Sequence, residues 1–202
     1  MNQSLWILIV AWLLFAVIHS LAAALRFKNW LRKWMGHWFQ YYRLLYSLFA
    51  LVSMCSILYY QFHLPGNAIL LHQHIRYAFG IAMGVAGLAL MSITIRKYFF
   101  NLSGIDVFWK KKTATALDTS GVHQWVRHPL YLGTLLFVWA WFLFSPLVTN
   151  LITCIMISLY TWIGMYFEER KLVQEFGDEY IAYQKRVPMI IPFLKKHNFH
   201  MG

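Results

Sequence analysis

Five apolar runs, separated by short polar or basic stretches, constrain this chain more than any other feature. They lie at about Leu5–Leu25, Leu44–Phe62, Tyr77–Ile95, Leu130–Ser145 and Leu147–Phe167. A bilayer crossing takes about 20 helical residues, and a backbone in hydrocarbon must satisfy its own hydrogen bonds. The expected fold is therefore all-α: an integral membrane bundle of five transmembrane helices, a single membrane domain over 1–202. Composition agrees, since 60 % of residues are hydrophobic and 12 % charged, against about 25 % charged in soluble domains.

The cations set the orientation. Lys and Arg crowd the connectors at 26–43, 96–127 and 170–196, and are nearly missing from 63–76 and 145–150. All three basic segments share one side only if there are five spans, with the N-terminus outside and the C-terminus in the cytoplasm. The net charge of +11 is spread between apolar runs rather than gathered on a soluble face, which argues against nucleic acid as a partner and for membrane lipids. In the first basic connector, Arg26, Lys28, Arg32, Lys33 and Arg43 alternate with Trp30, Trp34, Trp38, Tyr41 and Tyr42. That mixture describes a helix lying in the interface. The first run, which lacks a basic leader and is long, reads as a retained anchor.

Two stretches carry candidate chemistry. Gly121–Gly133 passes from a basic loop into the fourth apolar run, so Arg127, His128 and Tyr131 belong at the membrane boundary. Pro129 suits the first turn of the coming helix, whose free N–H groups add the positive end of a helix dipole. Ser145-Pro146 is a very short turn, so the last two runs form an antiparallel hairpin that returns the chain to this boundary at Glu168-Glu169-Arg170. Adjacent glutamates point about 100° apart on a helix, so one can meet a ligand while the other pairs with Arg170 or Lys171. A carboxylate, a guanidinium, an imidazole and aromatic faces together suit a zwitterion that also carries a cation. A basic anchor snorkelling at the interface is the alternative. The remainder, from Lys171 to Gly202, reads as a cytoplasmic helix followed by an extended tail.

Other features carry less. His19 lies within the first span, where an ionisable residue is either functional or bonded to a neighbouring helix. Gly80, Gly84 and Gly87 permit close helix approach. Leu64-Pro65-Gly66-Asn67 is turn chemistry, and His72-x-His74 reads as loop rather than metal site, so no metal is expected. Cys55 and Cys154 read as small buried hydrophobes within spans.

Gly121-x-x-x-x-Val126-Arg127-His128-Pro129-x-Tyr131-x-Gly133 resembles the first motif of the isoprenylcysteine carboxyl methyltransferase and phospholipid methyltransferase superfamily. The second motif is similar to Glu168-Glu169-Arg170-x-Leu172-xxx-Phe176-Gly177-xx-Tyr180-xx-Tyr183-xxx-Val187-Pro188-xxx-Pro192. Together these cover about the last 80 residues in matching order. His19-Ser20, Phe27-Lys28-x-Trp30, Arg43-x-x-Tyr46-Ser47 and Asn101-Leu102-x-Gly104 look like the NnrU and methanethiol S-methyltransferase branch, although Ser103 and Asp106 replace the more usual Phe and Arg. The resemblance implies a multi-pass enzyme of a bacterial plasma membrane that uses S-adenosylmethionine. Its N-terminal part is three spans (1–95), and residues 96–202 form a cofactor-binding hairpin and tail. By this resemblance His128, Pro129, Tyr131, Gly133, Glu168, Glu169 and Tyr180 bind the cofactor. Arg127, Glu169 and His19 are the candidate catalytic groups, the first to steady an anion and the others to accept a proton. The implied acceptor is a small or lipophilic thiol of the methanethiol type, or alternatively an isoprenylcysteine carboxyl or a phospholipid amine. A haem or accessory protein is the rival of another class, but only His19 lies well inside a span.

Overall fold

The computed structural model describes residues 3–69, 72–103 and 117–192. The Lys110–Lys112 run, Gly104, Asp106 and the extended tail beyond Pro192 lie outside the described residues. Those described are helical, with no strand among them. Seven α-helices follow in order: α1 (Gln3–Ala23), α2 (Leu25–Met35), α3 (Tyr42–Phe62), α4 (Gln73–Ser103), α5 (Pro129–Phe144), α6 (Val148–Phe176) and α7 (Asp178–Arg186). Short 3-10 turns at Gly36–Tyr41 and Gly121–Gln124 precede α3 and α5.

Four segments among the described residues are long and apolar enough to cross a bilayer: Gln3–Ala23, Leu25–Phe62, Gln73–Lys97 and Val148–Phe176. This makes the chain a multi-pass membrane protein. The expected fourth span is the shorter α5, whose 16 residues reach about 24 Å against a hydrocarbon core of about 30 Å. The basic connector forms the separate helix α2, with none of its residues buried. Extended backbone at Ala24 splits it from α1. Its Trp30 and Trp34 are exposed.

Backbone packing divides the chain into two compact units. The first holds α1 to α3 and the start of α6. Here α1 packs on α3, and Leu8, Trp12 and Ile57 of these helices and Cys154 of α6 are buried. A buried polar chain runs through this unit. Trp12 Nε1 donates to Thr153 Oγ1 at 3.0 Å, Thr153 donates to Gln61 Oε1, Gln61 Nε2 donates to Asn150 Oδ1 at 2.6 Å, and Asn150 Nδ2 donates to the Ser145 carbonyl at 2.7 Å. Every member has a partner, so the chain fixes helix register where unpaired groups would be costly. Cys154 is buried as expected, but Cys55 is exposed, because it falls on the outer side of α3.

The second unit holds α4 through Lys97, residues 117–144, the rest of α6, and α7. The glycine stripe of α4 lies against α5: a Cβ on Gly87 would come within 2.8 Å of the Gly133 carbonyl oxygen, and one on Gly133 within 2.9 Å of that of Gly87. Only glycine at both positions allows backbones this close. Arg76 donates to the carbonyls of Leu143 and Phe144 at 3.0 Å each, so a cation closes the negative end of α5. Antiparallel pairing of α5 with α6 follows from two bonds in register. His128 meets Glu169, and Trp139, eleven residues on, donates to Ser158, eleven residues back, at 3.0 Å.

Candidate functional site

The site forms where α5 begins and α6 leaves the apolar region. Pro129 is the first residue of α5 and fully buried, and the His128 carbonyl accepts the first helical bond, from Leu132 N–H at 3.0 Å. The loop before it is shaped by Gly121, whose φ of +62° suits glycine. At the other end Gly177 (φ +56°) turns the chain from α6 into α7, donating back to the Val173 carbonyl at 2.9 Å. That corner folds α7 onto the hairpin, where Tyr180, Tyr183 and Val187 bury against Leu172, Val173 and Phe176. Backbone then binds backbone: Arg127 N–H donates to the Pro188 carbonyl at 2.9 Å, and His128 N–H to that of Met189 at 3.2 Å.

Glu169 is the hub of the site. Arg127 meets it with two parallel bonds, Nε to Oε1 at 2.9 Å and Nη2 to Oε2 at 2.8 Å. His128 Nε2 and Tyr180 Oη each lie 2.7 Å from Oε1, and Gln184 Nε2 lies 2.5 Å from Oε2. A carboxylate has about four lone-pair sites, so these bonds saturate it. Arg127 is equally committed, since its Nη1 donates to the Gln184 and Val187 carbonyls. Because a carboxylate only accepts, His128 Nε2 must carry the proton, and its Nδ1 faces the other way. There Glu168 Oε2 stands 3.8 Å from it, buried and with no hydrogen-bond partner among the described residues.

Burial and the bond to Glu169 push the Tyr180 hydroxyl far above its ordinary range, which keeps it a donor. Burial likewise pushes Tyr183 up to about 12; its hydroxyl donates to the His123 carbonyl at 2.6 Å. Desolvation pushes the His123 imidazole down.

The structure thus brings together Arg127, His128, Glu168, Glu169 and Tyr180, with the Tyr131 ring 5.5 Å from that of His128. The expected pairing of a glutamate with Arg170 or Lys171 is corrected: Glu169 pairs with Arg127 across the hairpin, because it shares that helix face. Gly133 sits in the α4–α5 crossing. His19 belongs to the first unit, where its Nε2 lies 2.5 Å from Tyr46 Oη and its ring stacks on Phe15. His72 precedes α4 and His74 lies in its first turn, both exposed. Sequence reasoning missed Gln184, which lies outside both motifs' fixed positions, and the polar chain of the first unit. An amide inside an apolar run, as at Gln61, was the available signal.

Membrane-length helices with a saturated Arg–Glu–His cluster at a hairpin mouth define a multi-pass membrane protein with a polar site at a helix boundary. Residues 75–179 match the phospholipid methyltransferase family model. The chain belongs to this family of methyltransferases. It is 31 % identical over 188 residues to methanethiol S-methyltransferase 1 of Bradyrhizobium diazoefficiens, covering 89 % of this chain and 64 % of that one. It is 30 % identical over 194 residues to the methanethiol S-methyltransferase of Crocosphaera subtropica, covering 91 % and 72 %. Against the protein-S-isoprenylcysteine O-methyltransferase of Rattus norvegicus it is 33 % identical over 128 residues, 58 % and 42 % of the two. The chain thus spans about two thirds of the length of these bacterial relatives. No solved structure matches it.

Proposed function

We propose that this chain methylates a small thiol of the methanethiol type, using S-adenosylmethionine as donor. The observation that carries the cofactor reading is Glu168: a buried carboxylate oxygen that has no partner among the described residues, beside an imidazole, is a cost unless a cationic ligand group meets it. In this reading Glu168 takes the ammonium, His128 Nδ1 and the N–H end of α5 take polar ligand atoms, and the Tyr131 ring faces the onium centre. The cofactor, when bound, supplies an electrophilic methyl group on a positively charged sulfur.

Arg127 and Glu169 satisfy each other and hold α7 over the site, so their role is positioning. A thiol acceptor must lose its proton as its sulfur is methylated. The thiolate is the nucleophile, so the proton leaves to solvent as the new carbon–sulfur bond forms. The acceptor class rests on the two bacterial relatives, which align with about nine tenths of the chain. The rat relative supports a second reading, a lipophilic acceptor. We further propose five passes through a bacterial plasma membrane, N-terminus outside and C-terminus in the cytoplasm, on the distribution of cations between apolar runs.

The test has two stages. S-adenosylhomocysteine should raise the unfolding temperature of the detergent-purified protein, and Glu168→Gln should abolish that shift. Membranes given methyl-labelled cofactor and methanethiol should then release volatile label. Label entering lipid or protein instead would favour the second reading, and no stabilisation of the wild type would refute the cofactor assignment.

A further inference from the structure

The second unit carries a groove of about 370 Å³ that the reaction does not use, lined by Tyr166, Glu169, Arg170, Val173, Gln174 and Gln184. Arg170 and Glu168 are two residues apart, about 160° around the helix axis, so the groove opens on the opposite side of α6 from the Glu168 oxygen. Its charge is one-sided. Glu169, the one acid in the lining, has its oxygens saturated from within. Arg170 forms no ion pair among the described residues and lies over the Tyr166 ring at 5.8 Å. Gln184 spends one N–H on Glu169 and keeps another, and Gln174 is exposed. The depth is defined as well: Arg170 is 22 residues past the start of α6, about 33 Å along the axis, one hydrocarbon thickness. From the groove an exposed stripe of Tyr166, Ile163 and Leu159 runs back along the same helix face into the apolar zone.

We propose that this groove binds an anionic phospholipid, with the phosphate on the Arg170 guanidinium and the Gln174 and Gln184 amides and an acyl chain along Tyr166, Ile163 and Leu159. A guanidinium at headgroup depth, flanked by amide donors and continued by an apolar stripe, matches the order of parts in such a lipid. The assignment depends on the membrane placement of α6 and not on the methyl-transfer reading.

Native mass spectrometry of the full-length protein, released from micelles doped equally with phosphatidylglycerol and phosphatidylcholine, tests it. The wild type should retain phosphatidylglycerol preferentially. Arg170→Gln should lower that retention about tenfold, the loss of one charge-assisted contact, and Lys185→Gln should not. Stabilisation by S-adenosylhomocysteine, measured on the same variants, should persist, which separates a failed groove from a failed cofactor site or a misfolded variant. Equal retention of the two lipids by the wild type, or undiminished phosphatidylglycerol on Arg170→Gln, would overturn the proposal.

Discussion

Replacing Glu169 with Gln removes the charge that compensates a buried arginine. Arg127 is only 6 % exposed, and both of its bonds to a side chain end on Glu169. The amide keeps one acceptor oxygen but turns an N–H₂ group toward Arg127, His128, Tyr180 or Gln184, all of which donate into this position. Breaking a buried ion pair from one side costs about 3–5 kcal/mol, a large share of a total stability of about 5–15 kcal/mol. For a chain of this size each kcal/mol shifts the midpoint by about 2–4 °C, so thermal unfolding in detergent should fall by roughly 6–20 °C. The control is a double-mutant cycle. Arg127→Met alone strands the carboxylate, whereas Arg127→Met with Glu169→Met removes both charges and should cost clearly less than the sum of the single changes. A loss below about 1 kcal/mol for Glu169→Gln, or strict additivity in the cycle, would refute the claim that this pair holds α7 to the hairpin.

Two further outcomes follow from packing and ionisation. Gly133→Ala drives a methyl group against the Gly87 carbonyl and Met91, and should destabilise by about 1–3 kcal/mol in thermal unfolding; Gly87→Ala should do the same, and the pair should be less than additive. Tyr180 is held protonated in the folded chain, whereas in the unfolded chain it ionises near pH 10. The folded state therefore binds more protons above that pH, and stability should decline as pH rises from about 10. Tyr180→Phe should flatten this alkaline decline in unfolding midpoints measured from pH 8 to 11, with the Tyr183 contribution remaining over about 10 to 12.

Much of the architecture was legible because bilayer physics writes itself into composition. The apolar runs located the long helices, Pro129 its helix start, and Gly87 a close crossing, since each depends on local chemistry alone. The meeting of Arg127 and His128 with the Glu168-Glu169 pair was readable from a short turn and antiparallel geometry. The division of labour within that pair was not: which glutamate faces Arg127 depends on rotation about α6, and a sequence does not print helix phase. Gln184 and the Pro188–Met189 carbonyls stayed hidden for a related reason, as α7 reaches them only through the turn at Gly177. The polar chain joining Trp12, Gln61, Asn150 and Thr153 spans up to 141 residues, and solitary polar side chains in apolar runs form no period. The length of α5, 16 residues, was not legible either, because where a helix starts and stops at a boundary depends on its loop and neighbours as well as on its apolar run.

The clasp between Arg127 and its partners has a consequence for biogenesis. Glu169 follows Arg127 by 42 residues, and the Val187 carbonyl by 60. At a synthesis rate of about 5–20 residues per second, the arginine waits roughly 2–8 seconds for its counter-charge. During that interval the nascent chain carries a guanidinium without this counter-charge, which water and lipid headgroups must solvate. Assembly is thereby ordered in time: the bond from Arg127 to the Val187 carbonyl closes last, after the ribosome has passed the four described segments long enough to cross the bilayer.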